Sequence, residues 1–75
     1  MDIKDRILAI MKSSFSNNEI DENSNNDNTD NWDSINFLLL IVKLENEFEI
    51  KFQPDEIAEI DSFKSIHDSI SKKIK

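Results

Sequence analysis

Three stretches of the chain carry apolar residues at the three- and four-residue spacing of an amphipathic helix. In the first stretch these residues are Ile3, Ile7, Leu8, Ile10 and Met11, followed by Phe15. In the second, which begins at Asp33 or Ser34 and ends near Phe48 or Glu49, the predicted core face is made of Phe37, Leu40, Ile41, Leu44 and Phe48. In the third, which Ser62 is expected to cap, they are Phe63, Ile66, Ile70 and Ile74.

A shorter helix is predicted between the second and third stretches, from Pro54 to about Ala58 or Glu59. Proline suits the first position of a helix because its missing N–H would have no partner there. Ile57 and Ile60 are expected to join this short helix to the core.

Residues 1–75 are therefore predicted to form one all-α domain, a small four-helix bundle with three longer helices and one short third helix. Only the segment EIKF, residues 49–52, is compatible with a strand.

The long loop between the first two helices, Ser16–Asp33, holds seven asparagines and few apolar residues. Loops of this length are usually functional or mobile. Ile20 and Trp32 are expected to hold it against the core, and asparagine is expected to supply any left-handed conformations because the chain has no glycine.

The second helix also carries apolar residues on the side away from its core face. Ile35, Leu39 and Val42 lie there beside Glu49, and Leu38 lies at the margin. A helix does not need apolar residues on its outer side, and isolated ones would be ordinary. Aliphatic side chains clustered on an otherwise acidic face indicate a contact site for another protein.

Acidic residues outnumber basic ones and are unevenly placed along the chain. The net charge is −7: residues 16–33 hold six acids and no base, residues 34–61 hold seven acids and two lysines, and residues 62–75 hold four lysines and one acid. A surface of this kind repels phosphate backbones and anionic lipids and attracts basic proteins. We therefore expect no nucleic-acid partner.

Membrane insertion is not expected, because the longest apolar run, FLLLIV, has six residues and a spanning helix needs about 20. The segment MDIKDRILAI lacks the features of a secretory signal, so a cytoplasmic location is the expectation. With no cysteine, the chain offers neither a disulfide framework nor a thiolate site.

Two possible chemical sites fail on their spacing. A calcium loop that began at Asp21 would have Asn26 in place of its glycine and Trp32 in place of its bidentate glutamate, so no metal site is expected. His67–Ser69 are consecutive residues of a predicted helix and point in different directions, so they cannot form a catalytic relay. The chain is therefore not expected to be an enzyme.

Ser34 lies where the acidic loop meets the most apolar run of the chain. A hydroxyl at a helix start lies beside free amides and the positive end of the helix dipole, which favour an attached phosphodiester. The ordinary alternative is that this serine only caps the helix.

The sequence around this serine resembles the carrier-protein family, which comprises the acyl carrier proteins and their peptidyl relatives. Asp33, Ser34 and Ile35 are similar to the Asp-Ser-Leu attachment motif of that family, with isoleucine in place of leucine. The segment LENEF, residues 44–48, matches a Leu-Glu-x-Glu-Phe pattern at the end of the family's second helix, and Pro54–Glu56 resembles its short third helix. The resemblance covers the whole domain, and residues 32–57 carry most of its specificity.

The resemblance implies that a phosphopantetheinyl transferase attaches 4′-phosphopantetheine from coenzyme A to Ser34, and that Asp33 helps to coordinate the transferase's magnesium ion. The arm would then carry acyl or aminoacyl groups as thioesters on its terminal thiol. It also implies a monomer that meets a loading enzyme and a downstream acyltransferase or synthase. The predicted partner-binding residues are Ile35, Leu39, Val42, Glu45, Glu49 and Glu56.

Three residues favour a specialised pathway over fatty-acid synthesis. Asn36 and Leu39 stand where carriers of fatty-acid synthesis usually place acids. Phe37 falls where the family keeps a cavity for acyl chains, which predicts a short or polar cargo such as an amino acid or hydroxy acid. An aminoacyl or peptidyl carrier of a peptide-synthesis or wall-modification pathway is one alternative. An acidic helical interaction module without a prosthetic group is another.

Overall fold

Four α-helices make up the fold in a computed structural model of the protein, which describes residues 2–74. They are α1 (Ile3–Phe15), α2 (Ser34–Phe48), α3 (Pro54–Glu59) and α4 (Phe63–Lys73). The predicted all-α fold and the predicted order of three longer helices with a short third one are confirmed. Within the described range no named strand occurs, so the segment at residues 49–52 is not part of a sheet.

The core forms around α1, which packs against both α2 and α4. Its contribution is Ile7, Met11 and Phe15, at successive four-residue intervals and all fully buried. The buried residues of α2 are Leu40, Ile41 and Leu44, and those of α4 are Phe63, Ile66 and Ile70. Burial of this apolar surface is the main force that holds the helices together.

The margins of this core differ in detail from the prediction. Phe37 and Phe48 are only partly buried, at the two ends of α2. Ile74 follows the last residue of α4 and is exposed, so the apolar face of that helix ends at Ile70. Phe52, in the connection between α2 and α3, is buried instead, because its position in the turn places the ring over the core.

The first two helices end on residues in the left-handed conformation, Ser16 with φ 50° and Glu49 with φ 55°. The expectation that asparagine supplies such conformations is therefore wrong at both helix ends, and holds only for Asn31, with φ 68°. At each helix end the backbone N–H of the left-handed residue bonds to a carbonyl four residues back, that of Lys12 or of Glu45. These hydrogen bonds satisfy carbonyls of the last turn and offset the conformational cost.

The long loop is fastened to the start of α4 by backbone hydrogen bonds. The Asn26 N–H donates to the Asp61 carbonyl at 2.8 Å, and the Phe63 N–H donates to the Ser24 carbonyl at 2.9 Å. Ile20 is buried as predicted, and Ser24 and Thr29 are buried with it. The loop is thus a packed part of the domain and contributes to its core.

Candidate functional site

Ser34 occupies the first position of α2 and is exposed, while Asp33 caps the helix. The Asp33 carboxylate accepts the Asn36 N–H at 2.9 Å. Since aspartate supplies the capping oxygen, the serine hydroxyl is not used for that purpose. The amides of the first helical turn have no acceptor within a helix, so Ser34 lies at the electropositive end of a helix of 15 residues.

The turn that leads into Ser34 is held to the end of α1. Asn31 adopts the left-handed conformation, and its side-chain amide donates to the Phe15 carbonyl at 2.8 Å. The Asn31 carbonyl accepts the Asp33 N–H at 2.9 Å and the side-chain amide of Asn36 at 3.1 Å. The serine is therefore exposed, yet the backbone that carries it is fixed.

A stack of three aromatic rings reinforces this attachment. The Trp32 ring lies 4.9 Å from the Phe15 ring at an interplanar angle of 22°, and 6.2 Å from the Phe37 ring at 18°. Trp32 thereby holds the loop against the core, as predicted from the sequence. Stacked aromatic pairs of this kind add to the stability gained from burial alone.

A surface groove of about 440 Å³ lies beside Ser34. Its apolar wall is formed by Trp32, Phe37, Ile57, Ala58 and Ile60. Asp33 and Asn26 supply polar groups at its edge. The groove therefore places apolar surface from α2 and α3 next to the serine hydroxyl.

Four aliphatic side chains form an exposed stripe on the outer side of α2, which we call the outer stripe. Their exposed fractions are 80% for Ile35, 58% for Leu38, 43% for Leu39 and 52% for Val42. Residues spaced by three, four and seven positions lie on one side of a helix. The structure thus brings together the three apolar residues predicted to bind a partner, and it adds Leu38 to them.

The three predicted partner-binding acids lie in different surroundings. Glu49 is exposed at the end of α2. The Glu45 carboxylate accepts the Phe52 N–H at 2.9 Å and so helps to close the turn after α2. Glu56 on α3 forms a 2.7 Å ion pair with Lys73 on α4, so two of the three carboxylates already have partners inside the domain.

The pairing of Glu56 also changes its acidity. The hydrogen bond from Lys73 lowers the pKa of the Glu56 carboxyl, and the hydrogen bond from the Gln53 backbone N–H lowers it further. Both interactions favour the charged form of the carboxylate. Glu56 is therefore held as an anion at the junction of α3 and α4.

Other polar residues named from the sequence lie away from this site. The His67 ring rests against Phe63 at 5.7 Å, on the flank of α4. Over residues 2–74, no three histidine, aspartate or glutamate side chains come together in a way that could hold a metal ion. None of the helices in that range is both long and apolar enough to cross a lipid bilayer.

Sequence reasoning missed the hydrogen bonds that Asn31 and Asn36 make around the turn that leads into Ser34. Both residues are asparagines in a chain rich in them, so residue type alone does not distinguish them from their neighbours.

Neither the models of known protein families nor the curated proteins give a match to this chain. The family assignment therefore stays a prediction from the resemblance around Ser34.

Proposed function

We propose that this protein is a carrier protein, modified on Ser34 with 4′-phosphopantetheine, that delivers acyl or aminoacyl groups between enzymes. The observation that carries this proposal is the exposed Ser34 at the first position of α2, beside an aspartate that already caps the helix. A serine needed as the cap would have its oxygen engaged with the backbone. Here the hydroxyl is available for chemistry.

The modification would be a phosphoryl-group transfer from coenzyme A. The Ser34 oxygen attacks the phosphorus that bears the pantetheine, a new P–O bond forms, and the bond to the bridging pyrophosphate oxygen breaks. Adenosine 3′,5′-bisphosphate leaves, and the serine proton passes to a base of the transferase. No oxidation or reduction occurs in this step.

The residues at the start of α2 fit the attached group. The phosphodiester anion would lie beside the backbone amides of Ser34 and Ile35, where the helix dipole favours negative charge. Asp33 would help the transferase to hold magnesium, because its carboxylate is exposed beside the serine. Once attached, the arm supplies the thiol that carries the cargo as a thioester.

The outer stripe and the acids near it are the proposed contact surface for partner enzymes. Ile35 follows the serine directly and Leu38 lies one helical turn further on, so a partner that reaches Ser34 also covers them. Glu49 at the far end would attract a basic rim on the partner, which mainly increases the rate of association. The partners would be the transferase, a loading enzyme and a downstream acyltransferase or synthase, all in the cytoplasm.

We further propose that the cargo is short or polar, such as an amino acid or hydroxy acid. The support is the aromatic stack, since Phe37 packs on Trp32 at the edge of the core and the space beside Ser34 is an open surface groove with Phe37 in its wall. A long acyl chain shielded inside the helical bundle would contradict this part of the proposal. An aminoacyl or peptidyl carrier is compatible with it.

Mass spectrometry tests the attachment directly. The folded chain is incubated with coenzyme A, magnesium and a phosphopantetheinyl transferase of broad specificity. We expect one added phosphopantetheine on Ser34, and none on a Ser34→Ala variant. Ser69→Ala, a change of the same type on α4, is the matched control and should be modified like the unchanged protein. Absence of the added mass on the folded wild type would exclude the carrier function.

The second candidate is an acidic interaction module without a prosthetic group. It is favoured by the outer stripe, which would serve a protein contact whether or not Ser34 is modified. The two functions differ in the effect of Ser34→Ala in the source cell. Loss of the biological role in that variant supports the carrier, whereas full function with unmodified serine supports the module.

A further inference from the structure

We infer that Asn36 is a positioning residue for the modification of Ser34, and that Asn31 holds the turn that leads into Ser34 to the end of α1. The inference rests on the proposed function. It gives two side chains a role that the resemblance to carrier proteins does not assign to them. Both act through the backbone around Ser34 and have no direct role in the transfer itself.

Asn31 makes the first connection. Its side-chain amide donates to the Phe15 carbonyl at 2.8 Å, at the last residue of α1. Phe15 is fully buried, so this carbonyl belongs to a rigid part of the core. Asn31 itself has φ 68°, which turns the chain sharply just before the serine. The turn is therefore attached to the buried core at the end of α1.

Asn36 makes the second connection, from the other side of Ser34. Its side-chain amide donates to the Asn31 carbonyl at 3.1 Å and lies 3.4 Å from the second carboxylate oxygen of Asp33. Its backbone N–H donates to the first carboxylate oxygen of Asp33 at 2.9 Å. Asn36 thus contacts residues on the N-terminal side of the serine with both its side chain and its backbone.

These contacts restrict the two groups that the transferase must use. The backbone of Ser34 lies inside the ring closed by Asn31, Asp33 and Asn36, so the direction of its Cα–Cβ bond is set by that ring. The Asp33 carboxylate is held by two hydrogen bonds in one orientation. Ordering reacting groups before the encounter raises the rate of a transfer step.

Asn36→Ala is a favourable test because it leaves the helix intact. Alanine has a higher helix propensity than asparagine, and the backbone N–H of residue 36 can still donate to Asp33. We expect kcat/KM for transfer to the carrier to fall about tenfold, as for loss of one positioning hydrogen bond. The fall should be in kcat, with the KM for coenzyme A unchanged, because coenzyme A is bound by the transferase and the proposed role of Asn36 is to order groups of the carrier.

Asn46→Ala is the matched control, since it makes the same change on an exposed position of the same helix. It should be modified at the wild-type rate. Asn31→Gly is a second variant that removes the amide while it keeps a residue able to adopt the left-handed conformation. It should lower kcat in the same way, and circular dichroism should show that all variants are helical.

The outcomes separate the two proposals. Wild-type protein that is modified while Asn36→Ala is modified equally fast would overturn the positioning role and leave the carrier function intact. A change only in the KM for the carrier would overturn it as well, because that result is typical of a docking contact. Wild-type protein that is never modified would remove the proposed function and this inference together.

Discussion

At the scale of single residues, the domain uses side chains of the loop and helix ends to fasten its surface elements to the core. Glu56 joins α3 to Lys73 on α4 and also accepts the Gln53 N–H. Lys73 in turn lies over the Phe52 ring at 5.7 Å. A six-residue helix with no buried residue of its own is thus held by contacts at its first turn.

The Glu56 pair predicts a loss of stability in acid. Because the pKa of this carboxyl is lower in the folded state, it stabilises the fold at pH values above the unfolded pKa of glutamate. That gain disappears as the pH falls through the folded pKa. Melting temperatures measured across this acidic range should fall more steeply for wild type than for Glu56→Gln. Glu59→Gln, an exposed acid on the same helix, is the control and should keep the wild-type slope.

Trp32 gives a second prediction at this scale. Trp32→Ala should lower the free energy of unfolding by about 2 kcal/mol, less than for a fully buried aromatic residue because the indole is partly exposed. Trp32→Phe keeps a ring between Phe15 and Phe37 and should lose less than about 1 kcal/mol. Urea unfolding followed by circular dichroism measures both. Equal losses in the two variants would mean that the stack adds nothing.

At the scale of elements, α2 has two apolar sides in different environments. Leu40, Ile41 and Leu44 face the core and are buried, whereas the outer stripe faces solvent. Neighbouring leucines on this helix therefore have opposite environments, which allows a comparison within one element.

Leu39→Ala and Leu40→Ala should differ sharply in their effect on folding. Leu40 is fully buried, so its truncation should lower the free energy of unfolding by about 2–5 kcal/mol. Leu39 is exposed, so its truncation should stay within about 0.5 kcal/mol of wild type. Urea unfolding decides the matter. A large loss of unfolding free energy in Leu39→Ala would show that this side of α2 is part of the core and is not a free surface for a partner.

The helices could be predicted from the sequence because their apolar residues repeat at a fixed interval, as at Ile7, Met11 and Phe15. The course of the loop could not, because it depends on backbone bonds to distant residues, such as Ser24 to Phe63. Backbone N–H and carbonyl groups are the same in every residue except proline, so the residue types of the loop do not show which of these groups will pair. Likewise Asp33 and Ser34 are both good caps, and only the structure assigns the cap to Asp33.

At the scale of the whole molecule, negative charge dominates a small core. The net charge is −7. Three ion pairs on the described residues, Lys4 with Glu22, Arg6 with Glu47 and Lys73 with Glu56, each join one acid to one base and leave this surplus of acids unchanged. Exposed pairs contribute little stability each. The self-repulsion of the unpaired acids is therefore the larger electrostatic effect.

Salt or millimolar magnesium should accordingly raise the melting temperature. Screening of the repulsion stabilises the folded form, and each kcal/mol gained raises the melting temperature of a domain of this size by about 4–8 °C. Differential scanning calorimetry with increasing sodium chloride measures the effect, and a neutral osmolyte at equal osmolality is the control. A flat response to salt would mean that the acids are already compensated.

The position of Trp32 makes it an intrinsic fluorescence probe of the surface around Ser34. It is the only tryptophan, and the chain has no tyrosine, so near-ultraviolet emission comes from one fluorophore two residues before Ser34, the proposed attachment point. A group attached to Ser34, or an enzyme bound over it, should change the solvent exposure of that indole. We therefore expect loading, unloading and encounter to be readable in real time by intrinsic emission and quenching, without a dye.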